Sequence, residues 1–195
     1  MSYPLALRFK KIAIARQLAV EDSSGQLMLY VKQKAFKLRE AVTVFGDREQ
    51  TRPLYQVNAD RVIDFSATYD ISDAGGASLG SIRQKGMQSL WRTRYDILRG
   101  GAVVFSVQEE NPWAKMADGM LGEVPLLGLL TGYLFHPRYL ITTADGRDVI
   151  RVVKQPAFFE SLFQVSRLDT PLKAEDERLL LIGAVVTILL ERRRG

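Results

Sequence analysis

The sequence predicts a mainly β fold in which short antiparallel strands close into one sheet or barrel around a hydrophobic C-terminal α-helix. Three observations predict it: turn signals that recur at short intervals, a strand unit that appears three times, and an apolar run near the C-terminus that has no polar side.

The turns come first. Asp22-Ser23-Ser24-Gly25, Gly46-Asp47, Asp73-Ala74-Gly75-Gly76, Gly100-Gly101 and Asp145-Gly146 punctuate runs rich in β-branched and aromatic residues. Short strands with turns at this spacing point to an all-β sandwich or barrel. The clearest alternation is Trp91 to Ile97, in which Trp91, Thr93, Tyr95 and Ile97 share one side and Arg92, Arg94 and Asp96 the other. Side chains alternate across a strand, so this is a half-buried one. Gly100-Gly101 then turns it into Val103-Val104-Phe105-Ser106-Val107, a hairpin.

The repeat supports the same reading. Gly25 leads to Val31-Lys32-Gln33, Gly76 to Ile82-Arg83-Gln84, and Gly146 to Val153-Lys154-Gln155. The basic residue falls seven, seven and eight positions after its glycine. A second strand follows each time, at Ala41 to Phe45, Trp91 to Ile97, and Leu162 to Val165. A repeated strand pair that closes on itself is the simplest architecture with this pattern.

Two segments break the β pattern. Asn111-Pro112-Trp113 opens a predicted helix through Met120, with proline in its first turn, and the apolar, glycine-rich stretch Val124 to Leu134 follows neither period. The C-terminus is the stronger signal. Thr170-Pro171 reads as an N-cap and first-turn proline, Glu175, Asp176 and Glu177 lie near the helix start, and Arg192, Arg193 and Arg194 at its end. Both charge placements suit the helix dipole. Between them, Leu179 to Leu190 is apolar all round, so it must be enclosed all round. Its 12 residues span roughly 18 Å, against about 30 Å for a bilayer core. The run therefore reads as a core helix and not as an integral membrane span. A closed sheet of many strands is wide enough to hold it.

Length and composition agree. The chain of 195 residues fits one domain, 1–195, and 47% hydrophobic with 25% charged residues is globular composition. There is no cysteine, which removes disulfides and thiolate metal sites and suits a reducing, cytoplasmic setting. Arg8, Lys10, Lys11 and Arg16 interrupt any N-terminal signal sequence. The net charge of +5 biases the protein toward anionic partners: phospholipid headgroups, an acidic protein or nucleic acid. For nucleic acid, no aromatic stacking pattern or recognition motif supports the charge.

No catalytic constellation is legible. His136 is the sole histidine and no Gly-x-Ser-x-Gly elbow accompanies it. Asp60, Asp64, Asp70 and Asp73 have no EF-hand spacing and read as strand ends and turns, so no metal site is predicted. Gly75 to Gly80 lacks the Gly-Lys-Ser/Thr of a phosphate loop. No cofactor is implied.

The repeated unit Leu79-Gly80-Ser81-Ile82-Arg83-Gln84-Lys85 with Trp91 to Ile97, and Leu168-Asp169-Thr170-Pro171-Leu172-Lys173-Ala174 leading into Leu181-Ile182-Gly183-Ala184, resemble the tubby C-terminal-like superfamily. That superfamily includes the LURP-one-related proteins and the phospholipid scramblases. The resemblance runs from about Phe9 to Leu190 in the order of elements. It implies a barrel of about twelve strands around a central hydrophobic helix. It departs from the scramblases where they carry a calcium-binding acidic segment: Phe158 to Asp169 offers only Glu160 and Asp169. The LURP-one-related members are the better fit.

Basic pairs are the remaining candidates. Lys32 with Lys34, Arg83 with Lys85, and Arg92 with Arg94 each lie two apart and project from one strand face. If Gly86 to Leu90 makes a hairpin, Arg83, Lys85, Arg92 and Arg94 are neighbours. Four cations on one patch suit a phosphoinositide-like headgroup, as the resemblance also implies, against the alternative of a solvated outer barrel face. The predicted function is thus non-enzymatic binding or scaffolding at the membrane periphery. A scramblase-like lipid transporter anchored by the C-terminal helix is the second reading.

Overall fold

The computed structural model describes residues 1–10, 16–33, 42–60, 67–85, 94–110, 138–158 and 160–194. Twelve strands form a closed antiparallel barrel. They are β1 (Leu5–Lys10), β2 (Arg16–Glu21), β3 (Leu27–Gln33), β4 (Val42–Phe45), β5 (Pro53–Ala59) and β6 (Thr68–Asp73), then β7 (Ser78–Lys85), β8 (Arg94–Arg99), β9 (Ala102–Glu109), β10 (Arg138–Thr143), β11 (Asp148–Gln155) and β12 (Glu160–Arg167). Each strand pairs with its neighbours in sequence, and β1 closes the ring on β12, from Leu5 opposite Val165 to Lys10 opposite Glu160. Closure leaves no unpaired edge.

Inside lies a helix, α1 (Ala174–Arg194), so the expected fold class is the one observed. Every residue from Leu179 to Leu190 is buried. The inner faces of the strands supply the other half of the core, including Leu7, Leu18, Ile71, Ile82, Ile97 and Ile141, each fully buried. A side chain of this kind contributes about 1.5–3 kcal/mol when removed from water. A helix that is apolar all round can gain this on all sides only where protein encircles it.

All five predicted turns join an even-numbered strand to the next odd one, so they gather at one end of the barrel. Gly100 and Gly101 connect β8 to β9 with φ of 57° and 82°, the left-handed pair that a two-residue hairpin requires. Aspartates fasten the other turns. Asp22 accepts from the Ser24 and Gln26 amides, Asp47 from Thr51 and Arg52, and Asp73 from Gly75 and Ala77.

The repeated unit becomes the strand pairs β3–β4, β7–β8 and β11–β12, every fourth strand around the ring. Lys32 and Arg83 project outward, with Val31 and Ile82 buried behind them. Lys154 does the opposite. It lies opposite buried Phe163 and shares the inward face with Ile150 and Val152. The eight-residue spacing from Gly146 is the reason, because a shift of one residue moves a side chain to the other face.

One expectation at the helix start is corrected. Helix α1 begins at Ala174, and its first bond runs from the Glu177 amide to the Lys173 carbonyl. Thr170 is not the N-cap; its hydroxyl donates to the Asp148 carbonyl at 2.6 Å and ties the incoming chain to β11. The acidic first turn is held by strand arginines instead: Arg99 reaches Asp176 at 2.6 Å and Arg167 reaches Glu177 at 3.6 Å. The helix predicted from Asn111 to Met120, the stretch Val124 to Leu134, and His136 lie outside the described residues.

Candidate functional site

The predicted basic patch sits where β7 and β8 run side by side on the outer barrel surface. Lys85 lies opposite Arg94 and Arg83 opposite Asp96. Arg83, Lys85 and Arg94 are exposed. Arg92 and the Gly86 to Leu90 connection lie outside the described residues. Three of the four predicted cations therefore share one patch, as the alternation of strand side chains requires.

Sequence reasoning missed the fourth participant. Asp96 has outward parity and was expected to be a solvated strand residue, yet it is 0% exposed. Ser106 of β9 donates to its Oδ1 at 3.1 Å. Its Oδ2 accepts no hydrogen bond and faces Lys85 Nζ at 3.4 Å and Arg83 at 4.0 Å. A buried carboxylate is tolerated when cations face it. Asp96 thus faces two of the cations and cancels part of their charge, while Arg94 has no carboxylate partner among the described residues. The only sequence signal for this was an aspartate inside a strand, which β propensity disfavours.

A second polar surface lies across β12, β1, β2 and β3. Arg8 bridges Glu160 at 2.5 Å and Glu21 at 3.0 Å, and Glu21 also binds Arg48 at 2.8 Å. Arg48 lies 5.8 Å from the ring centroid of Tyr30. Arg8, Tyr30, Arg48 and Glu160, with Lys10, Gln17 and Ala19, line a shallow cavity of about 70 Å³. Arg8 and Arg48 are matched by carboxylates, which makes this a structural ion network.

The barrel rim where α1 ends carries a third group. The Tyr95 hydroxyl donates to Glu191 at 2.6 Å. Glu109, on the inward face opposite Tyr139, is held above the ordinary carboxylate range by burial and then by the charge of Glu191. Among the described residues, no three of His, Cys, Asp and Glu gather as a metal site would require. Nor is any helix among them long and apolar enough to cross a membrane.

A twelve-stranded antiparallel barrel threaded by its own C-terminal helix is the architecture that the tubby C-terminal-like resemblance implied. The family model described as LURP-one-related matches residues 27–118. A protein from Arabidopsis thaliana, solved by X-ray crystallography, has the same fold at a TM-score of 0.50 and 13% identity. The alignment covers 98% of this chain and 92% of that one. No curated protein matches the sequence. The LURP-one-related resemblance read from the strand units is borne out by the family match and by the shared fold.

Proposed function

We propose that this barrel is a non-enzymatic binding module, peripheral to a membrane, whose outer surface at Arg83, Lys85 and Arg94 engages anionic phospholipid headgroups. Arg92 is the fourth cation of the site by sequence. The observation that carries the reading is the register that sets Lys85 beside Arg94, with Arg83 two residues away on the same exposed face. Asp96 faces Arg83 and Lys85 and cancels part of their charge, which leaves Arg94 as the cation of the patch with no carboxylate partner among the described residues. The second, scramblase-like reading needs the C-terminal helix as an anchor, and that helix has its apolar residues inside the barrel.

The test is sedimentation with vesicles of phosphatidylcholine, with and without an anionic phospholipid, at several salt concentrations. Wild type is expected to bind the anionic vesicles and to be released by salt, since screening weakens exposed charges. Arg83→Glu with Arg94→Glu is expected to lose binding by about tenfold or more, at roughly 1 kcal/mol per basic residue. Lys173→Glu, at the opposite end of the barrel, is the control expected to bind as wild type does. Equal binding by the double variant and wild type would leave the patch a solvated barrel face.

A further inference from the structure

The ring is closed, but its junctions are not equally made. Among the described residues, β3 and β4 share a single ladder pair, Tyr30 opposite Phe45. Every other junction has four or more, with six between β1 and β12 and six between β8 and β9. The same register continued would set Val31 beside Val44 and Lys32 beside Thr43, yet neither pair is made. The neighbouring β4–β5 ladder shifts register between Val44 and Phe45. Such irregularities bend and twist a strand, so β4 leaves β3 where the shift falls.

Two things hold this thin junction. On the inner side, Val31, Val42 and Val44 are buried against the core. On the outer side, the β4–β5 turn reaches back over β3. The turn is itself firmly tied: Asp47 accepts from the Thr51 and Arg52 amides, and the Arg52 guanidinium donates to the Gly46 carbonyl at 2.8 Å. It carries Arg48, which lies over the Tyr30 ring and bonds Glu21 of β2 at 2.8 Å. Arg8 of β1 holds Glu21 in turn at 3.0 Å. The Arg48 side chain thus crosses β3 and ties the β4–β5 turn to β2, over the one ladder pair that remains.

We propose that the barrel opens locally between β3 and β4, and that the Arg48–Glu21 ion pair over Tyr30 is the clasp of this opening. Local opening is easiest where the fewest backbone bonds must break. A parting of these strands uncovers Val31, Val42 and Val44 while the other ladders stay intact, which gives an apolar route into the barrel. The clasp is an exposed ion pair, so salt weakens it. The inference is independent of the headgroup reading of Arg83, Lys85 and Arg94.

The absence of cysteine in the sequence allows a direct test. Val44→Cys and Val107→Cys each place one thiol at a buried, inward position. Val107 has ladder partners on both sides, Tyr95 and Ile141. A small thiol reagent, added without denaturant, is expected to label position 44 about tenfold or more faster than global unfolding of that variant permits. Position 107 is expected to label at its global rate, with global stability read from urea unfolding of each variant. Arg48→Ala is expected to speed labelling at position 44 about threefold to fivefold, and high salt to do likewise, with no added local labelling at 107. Arg151→Ala, which removes the ion pair to Glu110, is the control expected to leave position 44 unchanged.

Hydrogen exchange of the wild type reads the same opening without any substitution: the amides of Val42 to Phe45 are expected to exchange well ahead of those in β9. Labelling of position 44 only at the global rate overturns the proposal, as does protection of β4 equal to that of β9. Local labelling that neither Arg48→Ala nor salt alters would assign closure to the valines and overturn the clasp.

Discussion

Gly183 of α1 lies so close to Ile97 of β8 that a β-carbon at position 183 would stand 2.5 Å from Ile97 Cδ1. The helix can thread the barrel at this height because one residue on each side yields space to the other. Overpacking a core costs about 1–3 kcal/mol, while alanine gains about 1 kcal/mol over glycine within a helix. Gly183→Ala is thus expected to fall within about 2 kcal/mol of wild type, since the obstructing atom is the tip of a side chain. Gly183→Val, with two more carbons in the same place, is expected to lower the melting temperature well below that of the alanine variant. Denaturant midpoints check this, and a valine variant as stable as wild type would show that the helix has room here.

Charge cannot be accommodated on the barrel axis. Val185 and Ala184 are buried, and an aspartate at either place would have no cation to face. The cost is several kcal/mol, against about 5–15 kcal/mol for a whole domain. Val185→Asp is expected to abolish cooperative unfolding in a circular-dichroism melt. Retention of the wild-type transition would mean that the helix leaves the barrel.

Asp96 should restrain headgroup binding and support the fold together. Asp96→Asn keeps an acceptor for Ser106 but removes the charge facing Lys85 and Arg83. The variant is expected to bind anionic vesicles about fivefold more tightly at low salt and to lose about 1–3 kcal/mol of stability. Titration with vesicles and urea unfolding read the two effects separately. Weaker binding would show that Asp96 serves the site chiefly by positioning.

Acid–base behaviour should appear at the rim. Glu109 is raised by burial and by Glu191, and it lies across from Tyr139, while Glu191 accepts from Tyr95. The folded state then holds this proton more tightly than the unfolded state does. Stability attributable to Glu109 is therefore full below the ordinary glutamate range and falls as pH rises through the raised value. Glu109→Gln is expected to remove that fall, so the variant gains on wild type as pH increases across this window. Urea midpoints measured from pH 4 to pH 8 (about four values) are enough; parallel curves would rule out an energetic role for the pair.

Much of the architecture was legible because local chemistry repeats it. The aspartate–glycine turns all became hairpins at one end, and the alternation of Tyr95 and Ile97 with Arg94 became two faces of β8. The candidate patch was legible to the extent that it depends on strand parity, which put Arg83, Lys85 and Arg94 outward. The same parity placed Asp96 outward but could say nothing of its burial, which depends on Ser106 and on what lies over the strand face. Lys154 shows the converse: its motif matched those of Lys32 and Arg83, and one extra residue turned it to the inside.

By itself, the sequence determined that strands alternate, where they turn, and that Leu179 to Leu190 must be enclosed, because periodicity, turn chemistry and the length of an apolar run are local quantities. The tertiary structure alone decided what depends on ring closure. The pairing of β1 with β12 brings Arg8 to Glu160 across 152 positions. The enclosed helix places Gly183 on Ile97 and carries Glu191 to Tyr95. No local signal encodes these meetings, since their partners lie far apart in the chain and closure of the barrel is what brings them together.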